Sequence, residues 1–276
     1  MAWVWAWVIL GLCGLLFAAC WAAGLWIGGR SKRVALAAAA LTFGLIALRV
    51  LFRFRPETEY PLLFSNLYSA IRPLWVFPFA LISLGIGARR MSCRPLRAAV
   101  EIAAIALLAF ALQEPWARAT FDPGEYAGAP DRDGVCRQTQ EFTCGPAAAA
   151  TLLTQLGIRT DECEMEQLCG ATSVTGTDEI AVCRALRMRL SGTRFRVTLE
   201  RPGLDRLARH LWPVLARVKS DLLRDHWVVL LAMNDRTAIL GDPLRGKVEV
   251  PASEFCADWR GIIVAVDEAH PALAMR

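Results

Sequence analysis

One cysteine of the chain lies in a context that favours nucleophilic chemistry. Cys144 opens the run CGPAAAATLLTQLG over residues 144–157. Pro146 suits the first turn of a helix and Gly157 suits its C-terminal stop, so the run predicts a helix with Cys144 at its N-terminus. A cysteine attacks as its thiolate, which the positive end of a helix and a neighbouring imidazole both favour. The segment therefore indicates a thiol nucleophile.

Three further residues have the types and the spacing that would complete such a site. His226 opens an apolar stretch that predicts a strand, a rigid element able to hold an imidazole in place. Asp242 follows the next predicted strand, where its carboxylate can reach that imidazole and stabilise its charged form. Gln138 precedes Cys144 by six residues, and its amide N–H can join the backbone N–H of Cys144 in binding an oxyanion.

These residues, in this order, resemble the bacteriocin-processing, double-glycine leader peptidase family of papain-like cysteine proteases. The matching segments are QTQEFTCGP at 138–146, HWVV at 226–229 and GDP at 241–243, with Asp242 sixteen residues after His226. The resemblance covers about residues 131 to 267. It implies thiol attack on a peptide carbonyl, often after a Gly-Gly pair in a leader.

The order of the domains differs from that of the exporters in this family. In those members the peptidase usually comes first and is followed by six spans and an ATP-binding domain. This chain has the reverse order and lacks the motif G-x-x-x-x-G-K-[ST]. It is therefore similar to membrane-tethered relatives without ABC transporter domains, and its specificity for a Gly-Gly pair stays open.

The C-terminal half has the pattern of an α+β domain. Beyond the helix at Cys144, the sequence predicts a helix over 178–190 and strands over 194–200 and 213–218. A β-meander is expected over 226–233, 237–240 and 247–250, with a last strand over 261–266 and short helices over 204–211 and 253–259. Helices followed by antiparallel strands are typical of an α+β fold. A papain-like peptidase domain is expected over 131–268, with a tail at 269–276.

The first 115 residues have the composition of a membrane domain. Residues 2–28 carry no charge and include five Trp, and this run exceeds the roughly 20 apolar residues that a spanning helix needs. Further spans are predicted at 34–52, 72–88 and 98–114, followed by a linker at 116–130. The chain is thus predicted to be an α-helical membrane domain of about four transmembrane helices followed by the α+β papain-like domain. A cleaved signal peptide is disfavoured because no basic residue precedes the first run.

The loops of this membrane domain differ in basic residues, which predicts an orientation. Basic loops face the cytoplasm, so the first and third loops are expected there. With four spans, the peptidase domain then lies on the non-cytoplasmic side of a multi-pass protein, in a bacterial inner membrane. If span three does not cross, the peptidase domain moves to the cytoplasm. The first and third loops together hold seven basic residues: Arg30, Lys32, Arg33, Arg89, Arg90, Arg94 and Arg97. The second loop holds three: Arg53, Arg55 and Arg72.

Several other reactive or charged residues are interpreted as structural. Glu101 and Arg49 lie near the ends of predicted spans, where a charged side chain can reach the headgroups. Seven other cysteines are interpreted as core residues: Cys13, Cys20, Cys93, Cys163, Cys169, Cys183 and Cys256. A bridge between Cys163 and Cys169 is an alternative if the helix between them is short. His210 is expected on a surface helix.

No cofactor and no nucleic-acid partner are expected. A zinc site is disfavoured because the chain has no C-x-x-C and only three His, of which His270 lies in the tail. The net charge of +5 is concentrated beside the apolar runs, with no stripe of Arg and Lys interleaved with aromatics in the C-terminal half.

Three functional hypotheses follow. The first is a membrane-anchored cysteine endopeptidase that cleaves a peptide or protein by thiolate attack and acyl-enzyme hydrolysis, as in leader processing, with the lipid bilayer and an exporter as partners. The second is a non-cleaving peptide-binding module of a transport or secretion complex, against which the retained Cys144 argues. The third is an acyl transferase or amidase on the same fold, because the site residues do not fix the acceptor.

Overall fold

The computed structural model describes residues 2–59, 74–120, 122, 128–207, 213–220 and 225–268. They belong to two compact units, Met1–Phe121 and Asp122–Arg276. The first unit is helical, and the second combines helices with one sheet.

Among the described residues of the first unit, three helices have stretches long and apolar enough to cross a membrane, over Leu10–Gly28, Lys32–Phe52 and Arg94–Ala117. Its described helices are α1 (Ala2–Gly28), α2 (Lys32–Phe54), α3 (Pro56–Glu59), α4 (Val76–Arg90) and α5 (Arg94–Ala119). Helix α4, in the region of the predicted third span, has 15 residues. Such a helix is about 22 Å long, shorter than the roughly 30 Å hydrocarbon core. Residues 72 and 73 lie outside the described residues, so the count of four spans stays a prediction.

Helix α4 packs against α1 through glycines. A Cβ on Gly85 would lie 2.7 Å from the carbonyl oxygen of Trp21 and 3.0 Å from the Cα of Gly24. The two backbones therefore approach where neither helix has a side chain, as is common between membrane helices.

The two connections richest in basic residues lie at the same end of this helical unit. Arg90, the last residue of α4, donates from Nη2 to the carbonyl oxygen of Arg30 at 2.9 Å. Arg30 belongs to the connection between α1 and α2. Near the start of α5, Arg97 pairs with Glu101 at 2.9 Å, one helical turn away.

The second unit is built on a six-stranded antiparallel sheet of order β1-β6-β2-β3-β4-β5. Three helices precede most of the sheet, which confirms the α+β class. The helices are α6 (Cys144–Gln155), α7 (Glu162–Cys169), α8 (Glu179–Arg189), α9 (Leu204–Leu207) and α10 (Ala252–Asp258). The strands are β1 (Phe195–Glu200), β2 (Val214–Lys219), β3 (Asp225–Met233), β4 (Thr237–Asp242), β5 (Gly246–Pro251) and β6 (Trp259–Glu268).

Helix α6 and helix α10 cover opposite faces of the sheet. The residues of α6 from Gly145 to Leu153 are all buried, and its run of alanines permits a close approach to the strands. A Cβ on Gly241 of β4 would lie 3.0 Å from Thr151 of α6. On the other face, Phe255 of α10 is buried in an apolar cluster with residues of the central strands.

Helix α7 covers Cys163 to Cys169, where the sequence patterns assign no bounds to a helix. Asp161 caps its N-terminus by accepting from the backbone N–H of Glu164 at 2.8 Å, and Gly170 ends it in the left-handed region at φ 62°. Cys163 and Cys169 lie at the two ends of this one helix and are both free thiols. The alternative disulfide between them is therefore wrong.

The boundaries around the predicted linker also differ. Helix α5 continues to Ala119, so the first four residues of the segment 116–130 are helical, and Pro115 lies inside the helix. At the other end, the carbonyl oxygen of Gly128 accepts from the backbone N–H of Glu162 at 2.9 Å. Gly128 therefore belongs to the second unit.

Candidate active site

His226 and Asp242 form a buried pair at one end of two neighbouring strands. Val229 of β3 is paired with Gly241 of β4, so Asp242 lies beside Val228. Side chains two residues apart on a strand share a face, and a diagonal neighbour on the next strand lies within reach. Accordingly, Nε2 of His226 lies 2.8 Å from Oδ1 of Asp242, and both side chains are more than 90% buried. The sixteen positions from His226 to Asp242 thus correspond to the β3–β4 hairpin.

The charges of this pair are strongly stabilised. Burial lowers the pKa of His226, but the Asp242 carboxylate and the Cys144 thiol outweigh it and raise that pKa to about 9. Burial raises the pKa of Asp242, yet hydrogen bonds from His226, Arg245 and the backbone of Leu244 hold it well below its usual range. Arg245 donates to Oδ2 at 2.7 Å and Leu244 to Oδ1 at 2.8 Å. The imidazole therefore carries a proton at neutral pH.

Cys144 is the first residue of α6 and lies beside His226. The hydrogen bond and charge interaction of its thiol with the ring contribute to the raised pKa of His226. Because Nε2 faces Asp242, Nδ1 is the ring nitrogen left to face the thiol. As the first helical residue, Cys144 has a backbone N–H without a partner inside the helix. The arrangement suits a thiolate beside an imidazolium.

Gln138 is hydrogen-bonded to the turn that directly follows Asp242. Its backbone N–H donates to the carbonyl oxygen of Pro243 at 3.0 Å. Its side-chain Nε2 donates to the carbonyl oxygen of Gln140 at 2.8 Å, which uses one of the two amide hydrogens. Oε1 is buried and has no hydrogen-bond partner among the described residues. The second amide hydrogen remains for another acceptor.

Glu162 is a buried carboxylate that holds the segment before Cys144, and the sequence analysis missed it. It is fully buried at the start of α7 and accepts from the backbone N–H of Gly128 at 3.1 Å and of Thr139 at 2.8 Å. The hydroxyls of Thr139 and Thr143 also donate to it. Thr139 follows Gln138 and Thr143 precedes Cys144, so one carboxylate fixes both ends of the segment between them.

A second set of contacts links the residue after Cys144 to the residue after His226. A Cβ on Gly145 would lie 2.6 Å from the Cβ of Thr177, so only glycine fits beside this loop. The indole Nε1 of Trp227 donates to the carbonyl oxygen of the same Thr177 at 2.9 Å. The loop before α8 is thereby attached to both sides of the site.

Three cysteines of the second unit are buried in its core: Cys136, Cys169 and Cys183. Burial raises the pKa of the Cys136 thiol to about 12, and it raises the pKa values of Cys169 and Cys183 further still. Thiols with such values carry almost no thiolate at neutral pH. These three are core residues.

The structure adds two observations on the other predicted residues. In the part of the chain that the structure describes, no group of three or more His, Cys, Asp or Glu side chains is arranged to hold a metal ion. His210 and His270 lie outside the described residues.

Comparisons with known proteins match the second unit to a protein family. A model of the Peptidase C39 family matches residues 132–270, about half of the chain. An uncharacterised protein of Methanothermobacter marburgensis is 29% identical over 133 residues, which cover 48% of this chain and 87% of that protein. The lactococcin-G-processing and transport ATP-binding protein LagD of Lactococcus lactis subsp. lactis is 24% identical over 141 residues, 47% of this chain and 18% of LagD.

A solved structure gives a similar match. It is a double-glycine motif protease from an AMS/PCAT transporter in complex with the leader peptide. The identity is 23% and the TM-score 0.43, over 49% of this chain and 90% of that one.

Proposed function

The chain belongs to the Peptidase C39 family of cysteine peptidases, and we propose that it is a membrane-anchored endopeptidase whose catalytic residues are Cys144, His226, Asp242 and Gln138. The observation that carries this proposal is the buried His226–Asp242 pair at 2.8 Å beside a thiol at a helix N-terminus. A thiolate–imidazolium pair with a fixed ring is the arrangement that attack on a carbonyl carbon requires.

Each residue has one role in the proposed acylation step. The Cys144 thiolate attacks the carbonyl carbon of the scissile peptide bond. The oxyanion that forms accepts from the backbone N–H of Cys144 and from the free amide hydrogen of Gln138. The C–N bond then breaks, and the His226 imidazolium gives its proton to the leaving amine while Asp242 holds the ring.

Hydrolysis of the acyl-enzyme uses the same residues in reverse. His226, now neutral, takes a proton from a water molecule, which attacks the thioester carbonyl. The C–S bond breaks, the Cys144 thiolate leaves, and the protonated ring again stands beside it. The products are a carboxylic acid and an amine, so the charges and protons of the enzyme are restored.

The proposed substrate is a leader-type peptide of a protein destined for export, and an exporter is the expected partner. The name of LagD describes processing and transport, and the double-glycine protease is described with a leader peptide. A non-cleaving peptide-binding module is the alternative. The thiol at position 144, beside a protonated imidazole, favours cleavage over binding alone.

We further propose that the helices of the first unit span a membrane and that the peptidase unit lies on the non-cytoplasmic side. Three helices are long and apolar enough to cross. The hydrogen bond from Arg90 to Arg30 supports a common end for the two basic connections, which faces the cytoplasm by the positive-inside rule. Helix α5 starts at that end, so its last residue, Ala119, lies at the other.

The first experiment compares the full chain with its Cys144→Ala variant in detergent. Peptides with and without a Gly-Gly pair are incubated with each protein, and products are identified by mass spectrometry. Cleavage is expected in the wild type and not in Cys144→Ala, whereas Cys93→Ala, which removes an exposed thiol, stays active. Equal hydrolysis by Cys144→Ala would refute the thiol mechanism, and peptide binding without product would favour the alternative.

The orientation needs a separate experiment. A reporter enzyme that is active only outside the cytoplasm is fused after residue 268. Activity of the reporter is expected. A silent reporter together with a functional cytoplasmic fluorescent fusion would place the peptidase unit in the cytoplasm instead.

A further inference from the structure

A cavity of about 260 Å³ opens beside the His226–Asp242 pair, between the sheet and α10. We call it the β2–α10 cavity. His226 and Asp242 form one wall. Its floor is apolar and consists of Val218, Val228, Leu240, Val250 and Phe255. The volume lies below the roughly 300–1,000 Å³ of pockets that hold whole small-molecule ligands, so it suits the side chain of one residue.

The cavity lies on the histidine side of the site and not on the cysteine side. Side chains two residues apart on a strand point to the same face of the sheet. Val228 therefore shares the face of His226 on β3, and Leu240 shares the face of Asp242 on β4. Helix α6, which carries Cys144, covers the opposite face, where Gly241 meets Thr151. The body of α6 and the cavity therefore lie on opposite faces of the sheet, and His226, near the start of β3, both lines the cavity and contacts Cys144 at the N-terminus of α6.

The direction of proton transfer decides which half of a substrate passes this cavity. In the proposed acylation step, His226 donates its proton to the amide nitrogen that leaves. That nitrogen has to come within hydrogen-bond distance of the ring, whereas the acyl half becomes attached to Cys144. The nitrogen belongs to the first residue after the scissile bond, so this residue stands next to the wall of the cavity.

The lining indicates which side chain fits. The rim of the cavity carries two basic residues, Lys219 and Arg245, and two acidic residues, Glu254 and Asp258. All four are exposed. Exposed charges are screened by solvent and discriminate weakly. Three of the five floor residues, Val228, Leu240 and Phe255, are at most 4% exposed, so a side chain that reaches them leaves water for an apolar surface.

We propose that the β2–α10 cavity binds the side chain of the first residue after the scissile bond and selects an apolar side chain there. This inference rests on the proposed peptidase function. It assigns specificity to the segment that is released as the amine product, in addition to any recognition of the acyl half.

The test uses the full chain in detergent and synthetic peptides that share one sequence with a Gly-Gly pair before the cleavage site. Only the next residue varies, among Gly, Ala, Leu, Phe and Asp. We expect kcat/KM for Leu or Phe to exceed that for Gly by about tenfold or more, with Asp no better than Gly. A second measurement uses the same acyl-enzyme with amides of these amino acids as acceptors, where Leu and Phe amides should compete best with water.

Two tryptophan variants locate the effect. Glu254→Trp places a bulky ring at the rim, and Ser253→Trp places the same ring on the adjacent residue of α10, which does not line the cavity. Both positions are exposed, so both variants should fold. The ratio of kcat/KM for Leu over Gly should fall several-fold in Glu254→Trp and stay at the wild-type value in Ser253→Trp.

The outcomes separate this inference from the function on which it rests. Cleavage that depends on Cys144 but shows equal kcat/KM for Leu and Gly overturns the inference alone. An equal fall of the ratio in both tryptophan variants also overturns it. If no peptide is cleaved and no acyl-enzyme forms, the proposed function fails and the inference falls with it.

Discussion

Replacing Asp242 by Asn tests whether this carboxylate keeps the His226 imidazole charged. Asn has the same shape and retains an oxygen that can accept from the ring and from the backbone of Leu244, so the variant removes charge more than structure. The rise of the His226 pKa from 6.5 to about 9 corresponds to about 3 kcal/mol in favour of the imidazolium. Asp242 and Cys144 supply this energy together, against the cost of burial.

The expected effect is a shift of the pH dependence with a definite sign. A thiolate–imidazolium pair loses activity as pH rises through the pKa of His226, so the alkaline limb of kcat/KM should lie near pH 9 in the wild type. If Asp242 supplies half of the energy, Asp242→Asn should move this limb down by about one pH unit. Above the wild-type limb, a shift of one pH unit lowers kcat/KM by about tenfold relative to the wild type, whereas at neutral pH the shift alone causes little loss.

The same pair contributes to the free energy of unfolding over a defined pH range. A raised histidine pKa stabilises the fold fully below 6.5 and loses its effect as pH rises through about 9. A lowered aspartate pKa stabilises it fully above 3.8. The stability difference between the wild type and Asp242→Asn should therefore be largest between pH 3.8 and 6.5.

The assay measures kcat/KM with a quenched fluorescent peptide from roughly pH 5 to 10. Asp235→Asn makes the same chemical change in the exposed turn at the other end of the β3–β4 hairpin and should leave the profile unchanged. An alkaline limb at the same pH in Asp242→Asn and in the wild type would refute the assignment of Asp242.

Three further predictions concern the residues around the nucleophile. Gln138→Ala should lower kcat by about a hundredfold with little change in KM, as measured by steady-state kinetics, because it removes a donor to the oxyanion. Glu162→Gln should lower the free energy of unfolding by about 2–4 kcal/mol in a denaturation assay, because an amide oxygen cannot replace a carboxylate that accepts four hydrogen bonds; half-exposed Glu164→Gln should change it by less than about 0.5 kcal/mol. Gly145→Ala should cost about 1–3 kcal/mol through its contact with Thr177, and Thr177→Gly should restore part of this loss in the double variant; additive effects of the two substitutions would contradict the contact.

Much of the fold of the second unit was predictable because local signals and tertiary structure agree there. Asn234 and Asp235 lie in the turn between β3 and β4, and residues 243–245 form the turn between β4 and β5, where the predicted β-meander requires them. Asp178, the first residue of the predicted helix over 178–190, accepts from the backbone N–H of Ala181 at 2.9 Å and caps α8. Each of these features depends on residues within four positions of one another.

The missed features depend on residues far apart in the chain. Glu162 contacts Gly128, Thr139 and Thr143, which lie 19 to 34 positions away, so no short motif marks it. The available signal was Asp161 with Glu164 three residues later, a pattern that favours a helix start and would have predicted α7. Likewise, the β2–α10 cavity exists only because α10 folds back on the sheet, which composition and periodicity do not specify.

In the first unit, too, features that depend on nearby residues are predictable and contacts between distant residues are not. Residues 2–28, 34–52 and 98–114 were predicted as spans from their apolar composition, and helices cover all three ranges. The close approach of α1 and α4 rests on glycines that are 61 positions apart, Gly24 and Gly85. A glycine in an apolar run indicates a close contact only once its partner is known.

The loop that ends at Thr177 lies between the helix and the strand that carry the two sides of the candidate site. Thr177 contacts Gly145 on α6 and accepts a hydrogen bond from Trp227 on β3. The position of this loop therefore affects the distance between the Cys144 thiol and the His226 imidazole. A substitution that shifts this loop is therefore expected to change that distance from outside the β2–α10 cavity, which Thr177 does not line. For inhibitor design, the back of the site is therefore as relevant as its opening.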